Sequence, residues 1–182
     1  ADRGVVVVHG GLRMQSSGGT AATDELWALH CANGTAAWVA PDAVAVGAAA
    51  APGPRAYHTL TAAVGGGDDY GGLAFGDDDD GPPLVLYLFG GLRYAPPLEA
   101  AAAPEATEAE LMPRKVFDDL WELRGVHHSA PSWSLVNVSG SAAPPARRAH
   151  AAVAHATDDG RCGGGCLLVF GGLGAREEPM DD

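Results

Sequence analysis

One phrase is spoken three times along the chain: an apolar run closed by a glycine pair. It reads VVVVHGGLR from Val5 to Arg13, LVLYLFGGLR from Leu84 to Arg93, and CLLVFGGLG from Cys166 to Gly174. The pairs Gly10/Gly11, Gly90/Gly91 and Gly171/Gly172 set a period of about eighty residues. Such a repeat constrains the architecture before any single residue does.

Three further phrases recur in the same order. TDELWALH (Thr23 to His30) is answered by FDDLWELR (Phe117 to Arg124), AAWVAP (Ala36 to Pro41) by PSWSLVN (Pro131 to Asn137), and PGPRAYHTLTAAV (Pro52 to Val64) by PPARRAHAAVAHA (Pro144 to Ala156). In the last pair Pro52, Arg55 and His58 fall on Pro144, Arg147 and His150 at a constant offset of 92. One cyclic order separates a true repeat from a chance Gly-Gly.

Each phrase has the composition of a strand. VVVV and LVLYLF are short apolar runs rich in β-branched and aromatic residues and stopped by glycine, the pattern of a strand buried on both faces. LWALH and LWELR alternate apolar with polar residues, as a strand covered on one side does. Asn33-Gly34 marks a two-residue hairpin, since both central residues of a type I′ turn take positive φ. The unit is therefore expected to be a four-stranded antiparallel meander, with little room for a helical core.

The order of phrases resembles the kelch repeat, whose units are the blades of a β-propeller. In that family the innermost strand follows an Arg-containing turn, here at Arg55 and Arg147, and the second strand ends in the glycine pair. The third strand carries an aromatic, matched by Trp27 and Trp121, and the outermost carries a Trp, matched by Trp38 and Trp133. The resemblance implies an all-β fold of consecutive four-stranded antiparallel blades, with about nine strands in this chain. The expected division is a partial blade over 1–41 (strands two to four), a complete blade over 42–138 with acidic and Ala-rich insertions, a partial blade over 139–174 (strands one and two), and an acidic tail over 175–182. A closed propeller takes roughly four to eight blades. The resemblance thus implies a fragment of a longer chain, with the rest of its own propeller as a partner and poor behaviour in isolation.

Charge narrows the partner classes. The net charge is −12, with acid clustered at Asp77–Asp80, Glu105–Glu110 and the terminal REEPMDD. Nucleic acid requires a basic footprint that releases counterions, and the few Arg and Lys are scattered. The acidic runs read as solvated loops; calcium is the sharper alternative, but the DxDxDG spacing is missing. No run approaches the roughly 20 apolar residues of a membrane-spanning helix. Within the Ala-rich insert a short helix from Glu105 to Leu111 is expected.

Catalytic signatures are missing: no GxSxG, no HExxH, and no glycine loop followed by GK[ST]. No cofactor is expected. Cys162 and Cys166 flank Gly163–Gly165 in a turn that could curl into a small disulfide or a metal clip, although an unlinked pair is favoured, while Cys31 has no evident mate. His58 and His150 recur at equivalent positions, which points to a structural role; His127-His128 reads as a solvent-facing turn. The sequons Asn33-Gly34-Thr35 and Asn137-Val138-Ser139 matter only in a secreted chain. They leave the compartment open, with the cytoplasm slightly favoured.

What the resemblance implies about function is a noncatalytic protein-interaction module, a scaffold or adaptor, that binds a protein through loops on one propeller face. Those loops correspond to Leu12–Thr23, Leu92–Val116, Pro41–Arg55 and Ser139–Arg148. Arg13, Arg93, Arg55 and Arg147 fall near their bases, and Arg suits bidentate recognition of carboxylates. For Arg55 and Arg147 a buried brace to neighbouring carbonyls is an equal alternative; Arg13 and Arg93 are the favoured contacts, because the third unit has Gly174 at their position and folding does not require an arginine there. The other class the resemblance allows is a propeller enzyme such as a galactose-oxidase-like copper oxidase or a sugar epimerase, with ligands from blades outside this chain.

Overall fold

Every regular element among the described residues is a β-strand. The computed structural model describes residues 3–16, 19–40, 51–64, 84–94, 114–126, 131–138, 143–155 and 166–182. The expected helix, the acidic runs Asp77–Asp80 and Glu105–Glu110, His127-His128 and Cys162 lie outside them.

The first sheet is β1 (Arg3–Met14), β2 (Thr20–Ala32) and β3 (Thr35–Val39), in that order and antiparallel. The second is β4 (Thr59–Val64), β5 (Leu84–Phe89), β8 (Leu120–Arg124) and β9 (Ser132–Val136), also antiparallel. β6 (Leu92–Tyr94) and β7 (Arg114–Val116) form a separate ribbon, and β10 (Ala151–His155) pairs with β11 (Cys166–Phe170). None of these sheets closes on itself. Asn33 and Gly34 make the expected hairpin turn, at φ 52° and 76°.

Two expectations need correction. The glycine pair ends the strand in two units, β5 at Phe89 and β11 at Phe170, but not in the first: β1 runs through Gly10 and Gly11 to Met14, with an irregularity in register between His9 and Gly11. In the second unit the chain resumes after Gly91 as β6. Positive φ at each pair bends the chain as a bulge does, and the continuation β6–β7 in the second unit brings the strands among the described residues to eleven where nine were expected. Nor is the VVVV run covered on both sides. Val6 and Val8 are exposed, whereas Val7 on the opposite face packs against the core.

That core lies between the first two sheets. Leu86 and Leu88 of β5, Trp121 and Leu123 of β8 and Trp133 of β9 meet Leu26 of β2, with Val7 of β1 packed against them. Leu88 and Leu123 have no exposed surface.

Glycine is required for two separable reasons. At Gly91 (φ +101°) an added Cβ would lie 2.9 Å from both the Ala56 carbonyl and the His58 Cβ; at Gly11 (φ +113°) it would meet nothing within 4 Å. Gly11→Ala is expected to lose about 1–3 kcal/mol, the strain of a disfavoured backbone region alone. Gly91→Ala should lose clearly more in the same urea titration. Equal losses would mean that the close approach at Gly91 is not maintained in solution.

Candidate functional site: the inter-sheet joint and the face beyond it

Successive sheets are connected by one joint, built twice from equivalent residues. Arg55 precedes β4 and Arg147 precedes β10; both side chains are 1% exposed. Arg55 donates to the Gly90 carbonyl at 3.1 Å and to both carboxylate oxygens of Asp119, at 2.6 and 3.0 Å. Arg147 repeats this with the Gly171 carbonyl at 3.0 Å and both oxygens of Asp182 at 2.8 Å. The Nε of each reaches the carbonyl two residues back, Gly53 or Pro145, at 3.2 Å. Phe117 also lies 4.1 Å under the Arg55 guanidinium.

The backbone repeats with equal fidelity. Gly11 and Gly91 each donate at 2.9 Å to the carbonyls of Arg55 and Arg147, and those arginines donate at 3.1 Å to Thr23 and Phe117. Tyr57 and Ala149, again 92 apart, take positive φ of 58° and 53°. For non-glycine residues that is a strained conformation held by its surroundings. The Cβ position of Gly10 is 2.5 Å from the Arg55 carbonyl, and that of Gly90 is 2.6 Å from the Arg147 carbonyl.

Histidines fill the joint. His58 packs edge-to-face on His9 of the preceding sheet at 5.3 Å, and His150 packs likewise on Phe89 at 5.3 Å. His150 Nε2 meets Thr59 Oγ1 at 2.9 Å, while the Nδ1 atoms of His9, His58 and His150 are buried without a partner. Burial first, then the charges of His58 and Arg55, lowers His9 to about 3. Burial, followed by Arg55, lowers His58 to about 4, partly opposed by a hydrogen bond with the His9 backbone. His150 falls to about 4 through burial and then Arg147. For Asp119, burial acts to raise the pKa, but hydrogen bonds from Arg55 and Trp121 outweigh it and hold the carboxyl below its usual range.

Beyond the joint the hairpins continue as ribbons. Leu12–Met14 pair with Thr20–Ala22 and Leu92–Tyr94 with Arg114–Val116, and β6 lies against β2. Arg13 and Arg93 occupy equivalent, exposed positions on the two ribbons. Arg13, the more exposed partner, is bonded to the half-buried Glu25, and a surface pair of this kind is weak and exchangeable. Lys115, opposite Arg93 in register, sits 4.9 Å over the Phe117 ring. Of the four arginines singled out from the sequence, two are therefore exposed on the ribbons and two are enclosed in the joint. Much of the loops Leu92–Val116, Pro41–Arg55 and Ser139–Arg148 lies outside the described residues.

The acid that answers each buried arginine is not among the residues expected from the sequence. Asp119 stands two residues before Trp121 and receives its indole N–H at 2.8 Å, as Glu25 receives that of Trp27 at 3.3 Å. Asp182 closes the third unit: Met180 donates to the Gly172 carbonyl at 3.0 Å, as Phe117 does to Gly91. The signal was present, since TDE, FDD and MDD are the same phrase. The terminal acids are accordingly part of a joint and not only a solvated tail. Cys31 is a free thiol and Cys166 is disulfide-bonded, which corrects the expectation that Cys166 is unlinked.

No family model matches the chain, and no curated protein matches it in sequence.

Proposed function

We propose that this chain is a run of kelch-type propeller blades, incomplete as a ring, that acts as a noncatalytic protein-interaction module. The observation that carries the reading is the placement of Arg13 and Arg93. Both are exposed on ribbons that extend past the glycine pair, at equivalent register positions beyond successive joints. The joints fix the ribbons while Arg55 and Arg147 are consumed in bracing them. Contact with a partner then falls to Arg13, Arg93 and the loops they flank, and fork-shaped guanidinium groups favour a partner that presents carboxylates.

The test is affinity isolation with the wild-type chain and with Arg13→Glu/Arg93→Glu, read by quantitative mass spectrometry. Both positions are exposed, so unchanged circular dichroism is expected for the variant. A partner captured by the wild type should fall at least tenfold with the variant, roughly the 1.4 kcal/mol or more that two lost charge-assisted contacts represent. An identical set of captured proteins from both would overturn the assignment of this face.

A further inference from the structure

The repeat that stacks the first two sheets leaves one complementary face open at each end of the stack. Val6, Val8, Trp27 and Trp38 of the first sheet correspond by phrase and register to Leu86, Leu88, Trp121 and Trp133 of the second. In the second sheet these residues are 0–7% exposed, because the opposite face of the first sheet covers them. In the first sheet the equivalents are 40–55% exposed. At the other end Phe170 corresponds to Phe89, which is 3% exposed and packs on His150 of the next sheet. Phe170 itself is 68% exposed, and Val153 and Leu168, paired opposite each other, are exposed beside it. Four large apolar residues at one end and three at the other form patches of the kind that mark interaction surfaces.

We propose that these two faces bind each other between copies of this chain, head to tail: the Val6/Val8/Trp27/Trp38 face of one copy on the Val153/Leu168/Phe170 face of the next. Both faces continue the interfaces already inside the molecule. The first face has the residue pattern of the surface that is buried when the first sheet covers the second. The other end repeats the surface that Phe89 presents to His150. Each lacks only the next sheet. An interface of this type is heterologous, so copies add until a ring closes or a filament grows. The proposal rests on the packing repeat and is independent of the reading of the Arg13/Arg93 face.

Sedimentation velocity of the 182-residue chain and two variants decides the question. Val8→Glu blocks one face and Phe170→Glu the other, both at exposed positions. The wild type should show mass rising with concentration, and each variant alone should stay monomeric where the wild type associates. An equimolar mixture of the two variants should form a one-to-one dimer, because one intact face of each kind remains. A monomeric wild type, association of either variant alone, or a monomeric mixture would overturn the proposal. Association that ignores both substitutions would assign contact to free strand edges instead. Should Val8→Glu or Phe170→Glu lose the far-ultraviolet strand signal, Trp38→Lys and Leu168→Lys test the same two faces.

Discussion

Arg55→Leu is expected to destabilise the chain by about 3–5 kcal/mol, the cost of breaking a buried ion pair from one side. The substitution leaves the carbonyls of Gly53 and Gly90 without their donor and deprives the Asp119 carboxylate of both its guanidinium contacts. That loss is a large fraction of a typical domain's stability. Arg147→Leu should cost less, since Asp182 is 60% exposed and regains water when its partner goes, whereas Asp119 is 25% exposed. Arg55→Lys should rescue little, because a single ammonium cannot bond a carbonyl and both carboxylate oxygens in the geometry of the fork. Urea unfolding monitored by tryptophan fluorescence reports all three, and an Arg55→Leu loss below about 1 kcal/mol would show that the brace is not formed in solution.

Acid should unfold the protein well before its carboxylates are titrated. His9, His58 and His150 have folded-state pKa values of about 3, 4 and 4, below the 6.5 of the free side chain. Above pH 6.5 all three are neutral in both states and stability is unaffected. Below it the unfolded chain binds protons that the folded chain refuses, so stability falls with falling pH until the folded pKa values are reached. Each histidine contributes a slope of up to about 1.4 kcal/mol per pH unit, less for the half-buried His58. Together the three remove a substantial part of a typical domain's stability between about pH 6 and pH 4.5 on this account. The repeat supplies the control: Phe89 and Phe170 stand where His9 does, and His9→Phe should move the acid midpoint to lower pH and make the transition shallower. An acid midpoint unchanged by His9→Phe would contradict a buried neutral His9.

The all-β, antiparallel character was legible because its signals are local and repeated. Short apolar runs, alternating Leu-Trp phrases and Asn33-Gly34 each name a strand or a turn without reference to the rest of the chain. The Arg55/Arg147 and His58/His150 offsets showed that a tertiary feature repeats, although not what it does. Its chemistry depended on Asp119 and Asp182, which sit in sequence among other acids and resemble solvated charge. Only folding brings an acid 64 residues after Arg55 onto its guanidinium. His9 was unreadable for the same reason. It lies in an apolar run at a position its equivalents fill with phenylalanine, and its role as the packing partner of His58 belongs to the neighbouring sheet. The exposure of Val6 and Val8 could not be read from an apolar run either, since composition gives the requirement for cover and not the cover itself.

Native-state hydrogen exchange at the amides of Gly11, Gly91, Arg55 and Arg147 tests most directly the claim that one joint is built twice. All four donate across successive units, to Arg55, Arg147, Thr23 and Phe117 respectively. The expected result is slow exchange at all four, with protection approaching that of the core strands. In Arg55→Leu, protection at Gly11 and Arg55 should be lost together. Fast exchange at Gly11 and Gly91 in the wild-type chain would contradict the joint, and with it the stacked arrangement from which the ribbons, the open faces and the proposed binding surface all follow.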